Sequence, residues 1–220
     1  MANLGHMSAD ATRRSPTAVR ILRAAAELIA TRGYSATSTR DIAAVVGVEQ
    51  PAIYKHFSSK SDILAALVGI ALGWPLQLAD ELGELRAPAV VKLHRWLRES
   101  LSHLQASPYV LVSILITPEL LQEDRFVTEQ ALVSKFERVI ADLIEAGQNE
   151  GDVRAMNPVS AARLVQALFD AMALPEIAVS PNEIVEFALT ALLSVPARLA
   201  EIASAADALE IAVAPPSAGI

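Results

Sequence analysis

The chain has no cysteine in its 220 residues, which removes disulfides and thiolate chemistry and suits a reducing compartment. Glycine is sparse, at nine, and aromatic residues make up only 5 %, whereas 53 % of the chain is apolar, rich in alanine and leucine. That balance favours helices over sheets. Long hydrophobic runs are also missing: the longest, Ile63 to Leu76, is interrupted by Pro75, where a membrane span needs about 20 residues. The segment before Arg13 has no apolar core of the signal-peptide kind. A soluble, cytoplasmic protein with no membrane partner is expected. Gly5-His6-Met7 has the look of a cloning remnant, with Met7 as the natural start, and is set aside.

The signatures of catalysis are missing too. No Gly-x-Ser-x-Gly elbow, phosphate-binding glycine loop or paired Asp/His constellation is present. Outside the remnant the histidines are His56, His94 and His103. The last two lie nine residues apart, half a turn out of phase on one helix, so they cannot share a metal. The expectation is no enzyme, no catalytic residue, no metal and no cofactor.

What the chain does have is a charge asymmetry. Its net charge is -7, yet residues 8 to 60 carry eight Lys/Arg against four Asp/Glu, or +4, and residues 61 to 220 carry ten against twenty-one, or -11. Attraction to phosphate is screened over about 8 Å at physiological salt, so the basic end can meet a polyanion while the acidic body helps to aim it.

That basic end holds the most informative stretch, Ser38 to Lys60. Ala43, Gly47 and Ile53 have the four- and six-residue spacing of a DNA-binding helix-turn-helix. A small residue stands where two helices cross, a glycine can take the left-handed conformation, and an apolar residue pins the second helix. Ser15-Pro16 opens a preceding helix with Ile21, Leu22, Ala25, Leu28 and Ile29 on one side, ended by Gly33. Ser38 with Asp41 forms a capping box for the next; helix three runs from Gln50 to about Phe57, and Ser59 with Asp62 opens helix four at Lys60.

Further helices are predicted over Pro88 to Ala106, Pro108 to Ile116, Pro118 to Gln148 and Asn157-Pro158 to Leu174. A last helix begins at Ser180-Pro181, and Pro196 can kink or divide it. The fold class is therefore all-α, about nine helices in two domains. Residues 1–14 are a tag remnant and flexible arm, 15–60 a three-helix DNA-binding domain, 61–206 a larger ligand-binding and dimerisation domain, and 207–220 a disordered tail. Arg13 and Arg14 end the arm, as a solvated tail or as a minor-groove contact.

Tyr54-Lys55-His56-Phe57, followed by Lys60 and Leu64, resembles the closing signature of the recognition helix in the tetracycline-repressor (TetR) family of transcriptional regulators. Gly33-Tyr34, the hydroxyl residues at 37 to 39 and Asp41-Ile42-Ala43 are similar to that family as well, so the likeness covers roughly residues 16 to 64. The resemblance implies that Thr39, Tyr54, His56 and Lys60 touch DNA phosphates and that the start of helix three touches bases. Thr39 sits in the first turn of helix two and Lys60 in that of helix four, where free N–H groups already favour an anion. Sequence readout then falls to Gln50 and Pro51, with Lys55 and Arg40 beside them: glutamine can pair with adenine, and proline can pack on a thymine methyl. Glu49 departs from the family's small hydroxyl residue; it either accepts from a cytosine amine or pairs with Arg40.

A regulator of this kind implies a sensor. The apolar helices four to seven are expected to enclose a pocket with polar candidates Trp96, His103, Tyr109, Ser113 and Thr117, each of which also fits a plain core or surface role. Their scarcity of charge points to an apolar or amphipathic small-molecule effector. The alternative is a DNA-binding regulator with no such effector, controlled by a protein partner or constitutive. The last two helices are apolar on more than one side, and the family pairs them across a two-fold axis. Leu164, Leu168, Phe169, Ile184, Phe187 and Leu192 are therefore assigned to a homodimer interface. The expected function is repression, with double-stranded operator DNA released when helix four tilts. Gly69, Gly73 and Pro75 are either places where helix four bends or places where it packs closely.

Overall fold

The computed structural model describes residues 14–107, 111–173 and 179–216. Among these residues the chain is all helical apart from one isolated antiparallel bridge between Val153 and Leu193. The helices are α1 Pro16–Arg32, α2 Thr39–Val46, α3 Gln50–Tyr54, α4 Lys60–Glu84, α5 Ala89–Ala106, α6 Leu111–Leu115 and α7 Pro118–Gln122. There follow α8 Val127–Asn149, α9 Pro158–Asp170, α10 Pro181–Leu192 and α11 Leu199–Asp207. Short 3-10 turns occupy Asp124–Phe126, Ala171–Ala173 and Pro196–Arg198.

The all-α expectation holds, but two predicted helices are each divided. The segment after Pro118 breaks at Glu123, which is extended, before α8 begins. The last helix stops at Leu192 because Leu193 also turns extended and its strand-like neighbours pair with the α8–α9 turn: Arg154 N donates to Leu192 O at 3.0 Å and Ser194 N to Asp152 O at 2.9 Å. Pro196 then starts a 3-10 turn rather than kinking a continuous helix.

The chain separates into two compact units, one of residues 1–74, 106–133 and 216–220, the other of 75–105 and 134–215. The division falls inside α4, between Trp74 and Pro75, and not at residue 60 as the sequence suggested. The reason is apolar packing. Ile63, Leu64, Leu67 and Val68 at the start of α4 are fully buried, α6 packs on α1, and Tyr34 meets Phe126 edge to face at 5.8 Å. These residues share the first unit, and its core, with the three N-terminal helices. The predicted stripe on α1, from Ile21 to Ile29, lies in that core.

α4 is one helix of 25 residues running through Pro75, so that residue does not break it. With a mean hydropathy of 1.6 in its most apolar stretch, it is by length and composition able to cross a bilayer, contrary to the reading of a run cut short. Of that stretch 56 % is buried inside the protein, as befits a core helix.

In the second unit the Trp96 ring lies 4.7 Å from Phe136, and Phe136 meets Phe169 edge to face at 5.6 Å. Trp96 Nε1 donates to Pro75 O at 2.8 Å, which satisfies its one polar atom in the interior. α9 and α10 pack on each other. Phe169, Ile184 and Leu192 are 1 %, 4 % and 4 % exposed, so they belong to the protomer's own core and not to an interface. Periodicity marked them as apolar but could not say which apolar side faces inward. Leu164 and Phe187, at 72 % and 67 %, point outward, and Leu168 is half-buried.

The end of the chain is held as well. The Arg98 guanidinium pairs with Asp207, Arg95 donates to Ala206 O at 3.1 Å, and the amides of Ala212 and Val213 donate to the Glu81 carboxylate. Within residues 207–220, expected to be a disordered tail, Asp207, Ala212 and Val213 therefore have fixed partners, and 217–220 lie outside the described residues. Arg98 draws the Asp207 carboxyl below the usual range, whereas burial and the same guanidinium push His94 down. Truncating Phe136 to alanine removes the ring shared by Trp96 and Phe169. A loss of about 3–5 kcal/mol in unfolding free energy is expected by urea denaturation.

Candidate nucleic-acid interface

α2 is eight residues long and α3 five, too short to persist alone, so each is fixed by its ends and one buried side. Ser38 accepts from Asp41 N, and the Asp41 carboxylate accepts from Ser38 N and Oγ, completing the predicted box. The Ser38 hydroxyl holds the Asp41 carboxyl below its usual pKa. Gly47 ends α2 at φ 74°, ψ 39°, in the left-handed region, and Val48 N reaches back to Ala43 O at 3.0 Å. Ile53 is fully buried, as is Ile42, and Ala43 lies at the crossing. Arg20 of α1 donates to Val46 O and tethers the end of α2. This is the helix-turn-helix that the spacing predicted.

Most of the residues expected to touch DNA lie on its outer side. Arg40, Pro51, Lys55 and His56 are exposed, and Tyr54 is half out of the protein at 49 %. Gln50 and Thr39 are half-buried because they bond to each other and to Tyr54: Gln50 Nε2 lies 2.9 Å from Thr39 Oγ1 and 3.3 Å from Tyr54 Oη. His56 Nδ1 is 3.5 Å from Ser15 Oγ, at the start of α1. Glu49 is the N-cap of α3 without a side-chain capping bond.

Lys60 is placed differently from the expectation. Its ammonium donates to Tyr34 O and Thr37 O at 2.7 Å each and sits 4.0 Å from the Tyr34 ring centre. Two of its three N–H groups thus face the protein, and burial, then the nearby Arg125 charge, lower its pKa. Ser35, in the same turn, donates its N–H at 3.1 Å and its hydroxyl to the Glu119 carboxylate of α7. Sequence reading missed this link, since nothing local marks a bond between residues 84 apart.

The sensor candidates are not gathered in one unit. Trp96 and His103 are buried in the second, Ser113 and Thr117 belong to the first, and Tyr109 lies outside the described residues. Trp96 is committed to Pro75 and Phe136, and Thr117 Oγ1 donates to Ser113 O at 3.3 Å. Among the described residues no group of three His, Asp or Glu is placed to hold a metal.

Residues 21–67 match the family described as bacterial regulatory proteins, tetR family. The crystal structure of AmtR from Mycobacterium smegmatis is 34 % identical over 93 % of this chain and 99 % of that one, with a TM-score of 0.74. The chain belongs to the TetR family. It is accordingly a DNA-binding transcriptional regulator. The HTH-type transcriptional repressor Rv3405c of Mycobacterium tuberculosis is 42 % identical over 57 residues, which are 26 % of this chain and 30 % of that protein. The chain thus matches this curated relative over less than a third of its length. AibR in complex with isovaleryl coenzyme A and operator DNA shares the TetR fold, with a TM-score of 0.64 at 20 % identity over 79 % of this chain and 96 % of that one.

Two outcomes follow for the turn before α2. Lys60→Met leaves two carbonyls without their charged donor, so thermal or urea unfolding of the DNA-free protein should show about 1–3 kcal/mol of lost stability. Glu119 has its pKa lowered by the Ser35 hydroxyl bond, from an ordinary 4.5. Its bond therefore adds stability above that ordinary value and loses it as the pH falls through the lowered one. Unfolding curves of wild type and Glu119→Ala, separated at pH 7, should converge in acid.

Proposed function

We propose that the chain is a homodimeric repressor that grips a near-palindromic operator with α3 of each copy and lets go when a small effector binds. The observation that carries the dimer is the uncovered apolar side of α9 and α10, where Leu164, Phe187 and Val159 stand at 51 % exposure or more. Solvent-facing leucine and phenylalanine on adjoining helices amount to a surface awaiting a partner, and a second copy offers the same surface by symmetry. Two copies of α3 related by that axis read two half-sites one helical turn apart, about 34 Å. In this reading Arg40, Gln50, Pro51 and Lys55 meet bases, whereas Thr39, Tyr54 and His56 meet phosphates; Lys60 adds its charge while bracing the turn from Tyr34 to Thr37.

Release works through α4. A continuous helix passes rotation from its far end to Lys60, and Lys60 holds the carbonyls of the turn that leads into α2. A tilt of α4 then displaces the reading helices, and effector and operator must weaken each other by the same factor. The effector is read as uncharged or amphipathic from the scarcity of charge on the sensor helices. A thermal-shift screen of apolar metabolites tests this, since a compound that binds the folded form raises the melting temperature. A cytoplasmic location fits the lack of cysteine.

The dimer has a direct test. Leu164→Asp with Phe187→Asp puts like charges on both faces of the proposed contact, so sedimentation should change from dimer to monomer at micromolar concentration. Operator affinity should fall about 100-fold or more as the second half-site contact is lost. A wild-type chain that sediments as a monomer would sink the reading.

A further inference from the structure

Thr39, Gln50 and Tyr54 close a triangle: the two hydroxyls are 3.2 Å apart and Gln50 Nε2 lies 2.9 Å from one and 3.3 Å from the other. A count of hydrogens decides which end of the Gln50 amide faces inward. With the nitrogen inward, the amide supplies two hydrogens and each hydroxyl one, so all three contacts can be filled. With the oxygen inward, only the two hydroxyl hydrogens remain for three contacts, and one pair of oxygens is left facing each other without a proton. The nitrogen is therefore the inward atom, and Oε1 is the end of Gln50 that is free of both hydroxyls.

We infer that Thr39 and Tyr54 fix Gln50 as a hydrogen-bond acceptor, so that α3 selects a base bearing an exocyclic amine, adenine or cytosine, at the position Gln50 meets. This rests on the reading of α3 as the base-contacting helix. An untethered glutamine offers a donor and an acceptor together and can turn either toward the groove. It serves the O6 of guanine or the O4 of thymine as readily as the N6 of adenine or the N4 of cytosine. In the triangle, turning the amide over leaves two hydroxyl hydrogens for three contacts, so one hydrogen bond is lost and one pair of oxygens faces each other without a proton. Guanine and thymine, which present acceptors there, then face the glutamine oxygen and are rejected. The placement of the three side chains suits this role. Thr39 is at the first turn of α2, Tyr54 at the last residue of α3, and Gln50 at the first, so the triangle spans the two helices of the motif. Thr39 and Tyr54 act here as positioning residues, separately from any contact of their own with phosphate.

The test is operator selection from a randomised duplex pool by the full-length protein and four variants: Gln50→Ala, Tyr54→Phe, Thr39→Val and Thr39→Ser. The wild type should prefer adenine or cytosine at one position in each half-site, by about tenfold. Gln50→Ala should lose that preference. Tyr54→Phe and Thr39→Val free an amide N–H and should admit guanine or thymine at that same position, while preferences elsewhere stay. Thr39→Ser, which keeps the hydroxyl, should select as the wild type does. Three results overturn the inference. The first is a Gln50-dependent preference for guanine or thymine. The second is a uniform loss of affinity in Tyr54→Phe and Thr39→Val with preferences intact, which makes them phosphate contacts only. The third is a Gln50→Ala protein with unchanged preference, which removes Gln50 from readout. Failure of the wild type to select any duplex would instead refute the operator-binding reading itself.

Discussion

A helix of five residues has no stability of its own, and α3 is such a helix. It keeps one orientation only because its surroundings hold it there. Ile53 anchors it from below, Gly47 sets its angle to α2 by adopting a conformation that side chains resist, and Phe57 closes the turn that leaves it. Because the anchor is hydrophobic and the turn is covalent geometry, α3 can carry a largely polar outer side at no cost to its own persistence. Gln50, Tyr54, Lys55 and His56 can stay at the surface because Ile53 and Phe57 already supply the packing.

This division explains what could be read from the sequence and what could not. Short-range rules reported themselves well: Ser15, Ser38, Asn157 and Ser180 all cap the helices they were expected to open, and the spacing of Ala43, Gly47 and Ile53 named the motif. Each of those signals lies within about six residues of its partner. Contacts between distant residues left no trace. Lys60 was assigned to phosphate from its place in a signature, but two carbonyls in the turn from Tyr34 to Thr37 claim its hydrogens. Phe169, Ile184 and Leu192 were assigned to a partner because apolar residues cover more than one side of their helices. One of those sides turned out to be the inside of the same chain.

Similarity to known proteins divides in the same place. The family model matches residues 21–67 and the curated relatives match over 57 residues or fewer, whereas AmtR matches almost end to end at lower identity. A reading head is constrained by one fixed partner, the duplex, and its signature stays recognisable. The remaining helices answer to packing, which many sequences satisfy equally, so their fold persists at 20 % identity while their residues differ.

The last turn of α11 and residues 212 and 213 behind it are tied by Arg95, Arg98 and Glu81, all on helices of the same unit. A backbone amide held by a carboxylate exchanges with solvent only when that bond opens, so the Ala212 and Val213 amides report the opening of the Glu81 clasp separately from global unfolding.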